Sequence, residues 1–325
     1  MSTSPRLGIY GAGRTAAELV AALPEIGGVL TTAVVHSSTK AGRDIGALTG
    51  QGPTGVLATH DLSAALSAGE MDVLLYAGLV GEHHEHVMTE CAAAGIDQVH
   101  ACFVDPASSI IPDVRDRIET SARLSGARIV GTGMVPGLWF DVLPTLLSSG
   151  LPAPVSIRVE RISDISSWGT EVLRQEFGVG TTASGRSARA DSVLRDSARL
   201  VAGVLGLDRE LTSQGRPITA DDDTRIGGIL VRRGEVAGFD QSVVLVDEGA
   251  ERLRLTWRGL AGPGPDEAPA DVVVSLTGGD GTEITARVAA PLDPYPGTAA
   301  RMLQAVRGLH ALPPGLHPPT HLSLG

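Results

Sequence analysis

Over the first 140 residues, short apolar runs alternate with stretches in which apolar positions recur every three or four residues. Leu7-Gly8-Ile9-Tyr10 is the first run, and Leu19, Val20 and Leu23 then share one face of a helix. Residues 29–35 read as a second strand, because β-branched residues dominate and a polar cluster ends the run. Further runs fall at 56–58, 73–76, 99–103 and 127–130, with helical stretches at 82–94 and 109–125. Strands alternating with helices predict an α/β fold with a parallel, doubly wound sheet. The rhythm changes after Phe140. Residues 155–162, 228–231, 241–246, 251–257, 271–276 and 282–288 are strand-like and separated by turns bearing Gly or Asp, with an amphipathic helix at 191–204. That pattern predicts a second, α+β domain with a mostly antiparallel sheet, in which residues 262–266 form a hairpin loop. Residues 298–309 are helical, and a Pro-rich tail follows. The expected division is residues 1–140 with 296–325 as one domain and 141–295 as the other.

Composition narrows the class. With 42% hydrophobic and 19% charged residues, the chain has the make-up of a globular protein rather than a disordered one. The formal net charge is −11 and no Lys/Arg cluster tracks a phosphate backbone, so nucleic acid is excluded as a partner. Residues 1–6 contain no apolar signal region and no run of about 18 apolar residues occurs, which predicts neither secretion nor membrane spanning and makes the cytoplasm the expected location. Cys91 and Cys102 are too few for a disulfide scaffold.

Gly11-Ala12-Gly13-Arg14-Thr15-Ala16 fits G-x-G-x-x-A between a strand and a helix, the fingerprint of a Rossmann dinucleotide site. The first Gly permits the tight turn, the second lets backbone N–H groups approach a pyrophosphate, and the small third residue allows close helix–strand packing. The motif alone is weak; its position gives it force. At the end of the second strand stand His36-Ser37-Ser38-Thr39-Lys40, with Arg43 nearby and no acid before Asp44. Hydroxyls and cations suit a 2′-phosphate, so NADP is the expected cofactor and NAD the alternative, with Arg14 closing over the adenine side. Ala77 and Gly78 follow the fourth strand at the carboxyl edge, where small residues let the nicotinamide half pass close to backbone.

Several longer segments carry a resemblance. Ala41-Gly42-Arg43-Asp44-Ile45-Gly46 is one, and Gly131-Thr132-Gly133-Met134-Val135-Pro136-Gly137 followed by Asp141-Val142-Leu143-Pro144 is another. Gly297-Thr298-Ala299-Ala300 running to Leu312-Pro313-Pro314-Gly315 is a third, supported by residues 164–178 and Arg233-Gly234-Glu235-Val236-Ala237-Gly238. Over most of its length the chain resembles the 2,4-diaminopentanoate dehydrogenase and native amine dehydrogenase family, a branch of the dihydrodipicolinate reductase-like enzymes. The resemblance implies a Rossmann domain completed by the C-terminal helix, and an inserted α+β domain that shapes the substrate pocket and supports a homodimer. It further implies hydride transfer between NAD(P)H and a C=N bond of a small imine, amine or ketone substrate, with Gly133 and Met134 near the nicotinamide.

Two departures change the expected chemistry. The family carries an acid-rich segment, with a paired Glu, leading to a Pro; here the stretch is Ala101-Cys102-Phe103-Val104-Asp105-Pro106, and the Glu falls on Ala101 or Cys102. The family's Asn before the loop Pro is Val135. Loss of a general acid or base costs roughly 100-fold to 10,000-fold. Ketone amination needs that group more than reduction of a preformed imine does, so imine reduction is the expected reaction. Asp105 is the first candidate proton donor, against the plain reading of a turn residue before Pro106, and His100 is second, against a plain strand-end residue. Asp164, Glu171 and Tyr295 follow. Cys102, Val135, Trp139, Trp168 and Phe177 are the candidate pocket walls, although core packing explains the aromatic residues equally well. Two other readings stay open: a dinucleotide-binding sensor or assembly protein without catalysis, and an aldehyde-type dehydrogenase with Cys102 as nucleophile.

Three signals are discounted. His83 and His86 share a helix face in an exposed first turn with no third ligand indicated, so no metal is expected. Asp221-Asp222-Asp223 lacks calcium-loop spacing. The Gly/Ser-rich residues 178–189 form either a substrate flap, with Arg186 or Arg189 reaching a carboxylate, or an ordinary loop.

Overall fold

The structure is a computed structural model that describes residues 4–182, 185, 187–261, 271–289 and 293–322. The chain folds as two compact units, Met1–Gly137 with Tyr295–Gly325, and Leu138–Pro294. The first unit runs β1 (Arg6–Tyr10), α1 (Arg14–Ile26), β2 (Val29–Val34), α2 (Ile45–Leu48), β3 (Ala58–Thr59), α3 (Leu62–Ser67) and β4 (Val73–Tyr76). It continues through α4 (Glu82–Ala94), β5 (Asp97–His100), α5 (Pro106–Ser109), α6 (Pro112–Ser125) and β6 (Arg128–Gly131). The second unit holds α7 (Val142–Ser148), β7 (Pro154–Asp164), α8 (Ala188–Val204), β8 (Leu211–Thr219), β9 (Thr224–Ile226), β10 (Ile229–Val231), β11 (Val236–Asp247), β12 (Ala250–Leu260), β13 (Asp271–Gly278) and β14 (Glu283–Ala289). The chain then returns to the first unit with α9 (Pro294–Gly308) and β15 (Gly315–His317).

The first unit is a doubly wound Rossmann sheet of seven parallel strands, ordered β15-β6-β5-β4-β1-β2-β3. Its strands read as continuous apolar runs because both faces are covered. Leu7, Ile9, Val73 and Leu75 point to a core shared with α1 and α9, including Leu19, Leu23, Met302 and Val306. Tyr10, Leu74 and Tyr76 point to the opposite core, with Met88, Cys91, Ile118 and Ala122 from α4 and α6. The order reverses between β1 and β4, and an open α/β sheet binds its ligand at such a switch point.

The second unit contains a six-stranded sheet, β14-β13-β7-β12-β11-β8, with α8 packed on β11 and β12. It is mostly antiparallel, but β7 and β12 run parallel, so the sheet is not a plain meander. Other details depart from the sequence reading. The fifth strand stops at His100, and residues 101–103 turn away from the sheet. The helical stretch at 109–125 begins at Pro112, preceded by the separate turn of α5. β8 escaped notice because Gly215 and Pro217 break its strand pattern; both are tolerated at a sheet edge. The Pro-rich tail contributes β15, an edge strand beside β6. The 262–266 hairpin and Arg186 lie outside the described residues. Among the described residues no helix is long and apolar enough to cross a membrane.

Candidate active site

The β1–α1 turn combines a tight glycine turn with an uncapped helix start. Gly11 has φ 110°, and a side chain there would bring its Cβ to 2.8 Å from the Ala77 carbonyl oxygen. Gly13 differs: its Cβ position has no heavy atom within 4 Å. It caps α1 without any side-chain hydrogen bond, and the first turn of α1 contains no acid. Backbone N–H groups at such a start are open donors, and the helix dipole favours negative charge there. Ala12 packs on the apolar core, Thr15 is half-buried, and the Arg14 guanidinium lies 4.5 Å from the centre of the Tyr295 ring. These features fit a dinucleotide pyrophosphate.

The end of β2 has little of the carboxylate character that an NAD site offers. His36 is exposed and its ring lies edge-on to His83 at 4.6 Å. Ser37 accepts from the Thr39 N–H at 3.3 Å and starts a short 3-10 turn, Ser38–Lys40. Ser38 and Lys40 are exposed, and Lys40 is the one lysine of the chain. Asp44 is occupied elsewhere. Backbone N–H groups, Thr54 first and then Ala47 and Gly55, hold its carboxyl below the usual range and tie it to its own loop.

Past β4 and β5 the candidate groups separate by environment. Ala77 and Gly78 are half-buried, and the Ala77 N–H donates to the Tyr10 carbonyl at 2.8 Å. His100 is buried; burial pushes its imidazolium down to about 3, so the ring is neutral at ordinary pH and a poor proton donor. Its Nδ1 accepts from the Cys102 N–H at 3.3 Å. Asp105 is half-buried and accepts from the Ala107 N–H at 3.1 Å, capping α5 as a turn residue would. Cys102 is buried, with Sγ 3.9 Å from the Gly78 carbonyl oxygen. The sequence reading gave it no basic neighbour, yet His84 and His100 both lie beside it.

His84 itself was passed over as part of an exposed turn. It is buried, whereas His83 and His86 are exposed and His83 is hydrogen-bonded to the Tyr10 hydroxyl. The signal was available: His84, Val87, Met88 and Cys91 form one inward stripe at helical spacing. In the 131–137 loop, Gly133 has φ 142° and lies close to Pro136, Ala101 and Thr298. Met134 is buried against Gly297, and Val135 is half-buried.

The second unit gathers Trp168 and Phe177 with Phe239 and Trp257, whereas Trp139 meets none of these rings directly and lies beside Arg161. Trp168 and Phe177 lie 5.1 Å apart, and Trp257 is within 5.9 Å of both. Among them is a residue that sequence reasoning missed. Arg161 is 4% exposed, and its guanidinium stands 5.8 Å from the Trp139 ring. Nε donates to Ser163 Oγ at 2.9 Å, an oxygen that also accepts from Trp257 Nε1 at 2.9 Å. Nη1 is buried without a partner, as are the indole nitrogens of Trp139 and Trp168. No described carboxylate pairs with Arg161, and burial pushes its guanidinium down to about 10. The clue lay in the alternation of β7, where Ile157, Val159 and Arg161 share a buried register. The other candidate groups serve locally: Asp164 accepts from the Ser166 N–H, Glu171 from Gln175, and Arg189 pairs with Glu176 at 2.8 Å.

No family model matches the chain. A 2,4-diaminopentanoate dehydrogenase from Acetoanaerobium sticklandii is 26% identical over 136 residues, covering 39% of this chain and 38% of that protein. An amine dehydrogenase from Streptomyces virginiae is 31% identical over 178 residues, covering 52% of this chain and 48% of that protein. The chain thus spans less than half the length of either relative. An amine dehydrogenase structure from Mycobacterium smegmatis superposes with a TM-score of 0.84 at 21% identity, over 99% of this chain and 96% of that one.

The chain is similar in sequence and in fold to amine dehydrogenases.

Its fold extends to other oxidoreductases. GenD2 from gentamicin A biosynthesis, in complex with NAD, has a TM-score of 0.59 at 16% identity over 98% of this chain and 90% of its own. Synechocystis biliverdin reductase, in complex with biliverdin and NADP+, has 0.55 at 13% over 94% and 91%. Ala101 and Cys102 stand where the resemblance implies a carboxylate, and the two polar groups flanking them are a neutral imidazole and a helix cap.

Proposed function

We propose that the protein is a pyridine-nucleotide-dependent oxidoreductase that reduces a C=N bond already present in a small substrate, with NADP as the preferred cofactor. The uncapped start of α1, with open space over Gly13 at the switch point of the sheet, carries the reading. A bound nicotinamide supplies or accepts the hydride. The chain's own residues hold the pyrophosphate through the first amides of α1 and meet the ribose with Ser37, Ser38 and Lys40. Met134 and Gly133 exclude water beside the strand ends. Neither His100 nor the capping Asp105 is poised to move the two protons that ketone amination requires, which favours a preformed imine.

Within the second unit, Arg161 is a candidate anchor for a carboxylate. A buried cation without a counter-charge is costly, and a substrate carboxylate would supply that charge. Purified protein is titrated with NADPH and NADH, then assayed with cyclic imines and with ketones plus ammonia, each with and without a carboxylate. Turnover of carboxylated imines with NADPH supports the reading. Tight NADPH binding without turnover of any substrate would favour the sensor alternative, and no binding of either nucleotide ends the proposal.

A further inference from the structure

Beside the ends of β4 and β5 lies a side-chain group that the dinucleotide reading does not use. His84 on the first turn of α4, His100 at the end of β5 and Cys102 two residues beyond each offer one ligand atom. Those three atoms lie within 4.8 Å of one another, and the residues are 1%, 1% and 4% exposed. His84 is held between the Tyr76 ring, stacked at 4.2 Å, and the His100 ring, edge-on at 4.5 Å. Its Nε2 is buried without a hydrogen-bond partner. Buried polar atoms are nearly always paired, and an apolar ring would serve packing alone at lower cost. The unpaired nitrogen therefore marks a place for something else.

Two imidazoles and a thiol within a ligand's span are a donor set for thiophilic metal ions. We propose that His84, His100 and Cys102 bind one zinc(II) or copper(I) ion, tying the start of α4 to the segment that follows β5. Binding breaks the Cys102 S–H bond, forms a sulfur–metal bond and releases the proton to buffer; no electron is transferred. Three protein ligands complete a trigonal copper(I) site and leave a fourth position at zinc. The site stands independently of the proposed reaction.

The full chain is stripped with a chelator, then loaded with Zn2+ alone or with Cu+ alone under anaerobic reducing conditions, and elemental analysis follows gel filtration. One ion per chain in either arm is expected. Cys102→Ser and His84→Gln each weaken retention at least about tenfold, whereas His86→Gln, at the exposed neighbour, leaves it unchanged. Cobalt(II) bound to the unmodified chain gives a thiolate-to-metal charge-transfer band, which decides the matter even if a variant does not fold. No retention in either arm, bound cobalt without that band, or undiminished retention in a folded Cys102→Ser protein overturns the site.

Discussion

Gly11 and Gly13 are two positions apart in one turn, yet a methyl group at each meets a different obstacle. At Gly11 it meets the Ala77 backbone from a left-handed conformation; at Gly13 it enters empty space. Gly11→Ala is expected to cost at least about 1 kcal/mol of stability in denaturant titration. Gly13→Ala is expected to cost less than about 1 kcal/mol, the difference between these caps, but to weaken NADPH binding at least about tenfold by calorimetry. Equal effects of the two changes on stability would refute the assignment. Arg161 reverses the usual relation between stability and function. Its folded pKa, about 10, lies below the ordinary value of a guanidinium. Its charged form therefore opposes folding at every pH below that folded value, and the penalty fades only as pH rises through it. Arg161→Leu should raise stability by about 1–3 kcal/mol while raising KM for carboxylated substrates and sparing neutral ones. A thermal melt and paired substrate kinetics check both halves.

Among the elements, β15 is the smallest and among the most consequential, because it covers the edge of β6. Glu119 on α6 accepts from the Leu316 N–H at 2.7 Å and binds Arg123 at 2.7 Å. Glu119→Ala leaves the strand amide unpaired, a loss of about 1–3 kcal/mol, and hydrogen exchange at Leu316 should accelerate. The same element shows where sequence pattern loses its power. β1, α1 and β2 were legible because strand, glycine turn and amphipathic helix follow within 30 residues, each in its own period. β15 has three residues among prolines, too short for any period to register. β8 is an edge strand whose Gly215 and Pro217 speak for a turn, and only pairing with β11 overrides them. The glycine turn between β1 and α1 could be read as a local motif. For His84 and Arg161 the pattern shows only that each side chain turns inward, since their partners come from distant segments.

At the scale of the molecule, charge is unevenly drawn. Arginine supplies nearly all the positive charge, and the single lysine, Lys40, belongs to the segment proposed above to meet a 2′-phosphate. Acylation of Lys40 should be suppressed by NADPH more than by NADH, with mass spectrometry giving the extent; equal protection would place the phosphate elsewhere. His36→Asp should shift preference toward NADH, read as the ratio of kcat/KM values. Depressed carboxylates contribute to the acid limit, alongside the buried neutral rings of His84 and His100. Asp44, Asp72 and Glu251 are held below their usual range by backbone or arginine hydrogen bonds. Their contribution is intact above the unfolded values, about pH 4, and is lost as pH falls through the folded ones. Stability should be insensitive to these groups between pH 5 and 8 and decline below, more weakly in high salt.

The first unit draws its seventh strand and one covering helix from residues 294–317, while residues 138–294 form a single uninterrupted stretch. On the ribosome, the part begun first is therefore finished last. The nascent sheet must wait with the β6 edge and part of one apolar face bare while about 180 further residues are made, roughly 9–36 seconds at ordinary synthesis rates. That interval is the protein's period of greatest exposure to chaperones and proteases.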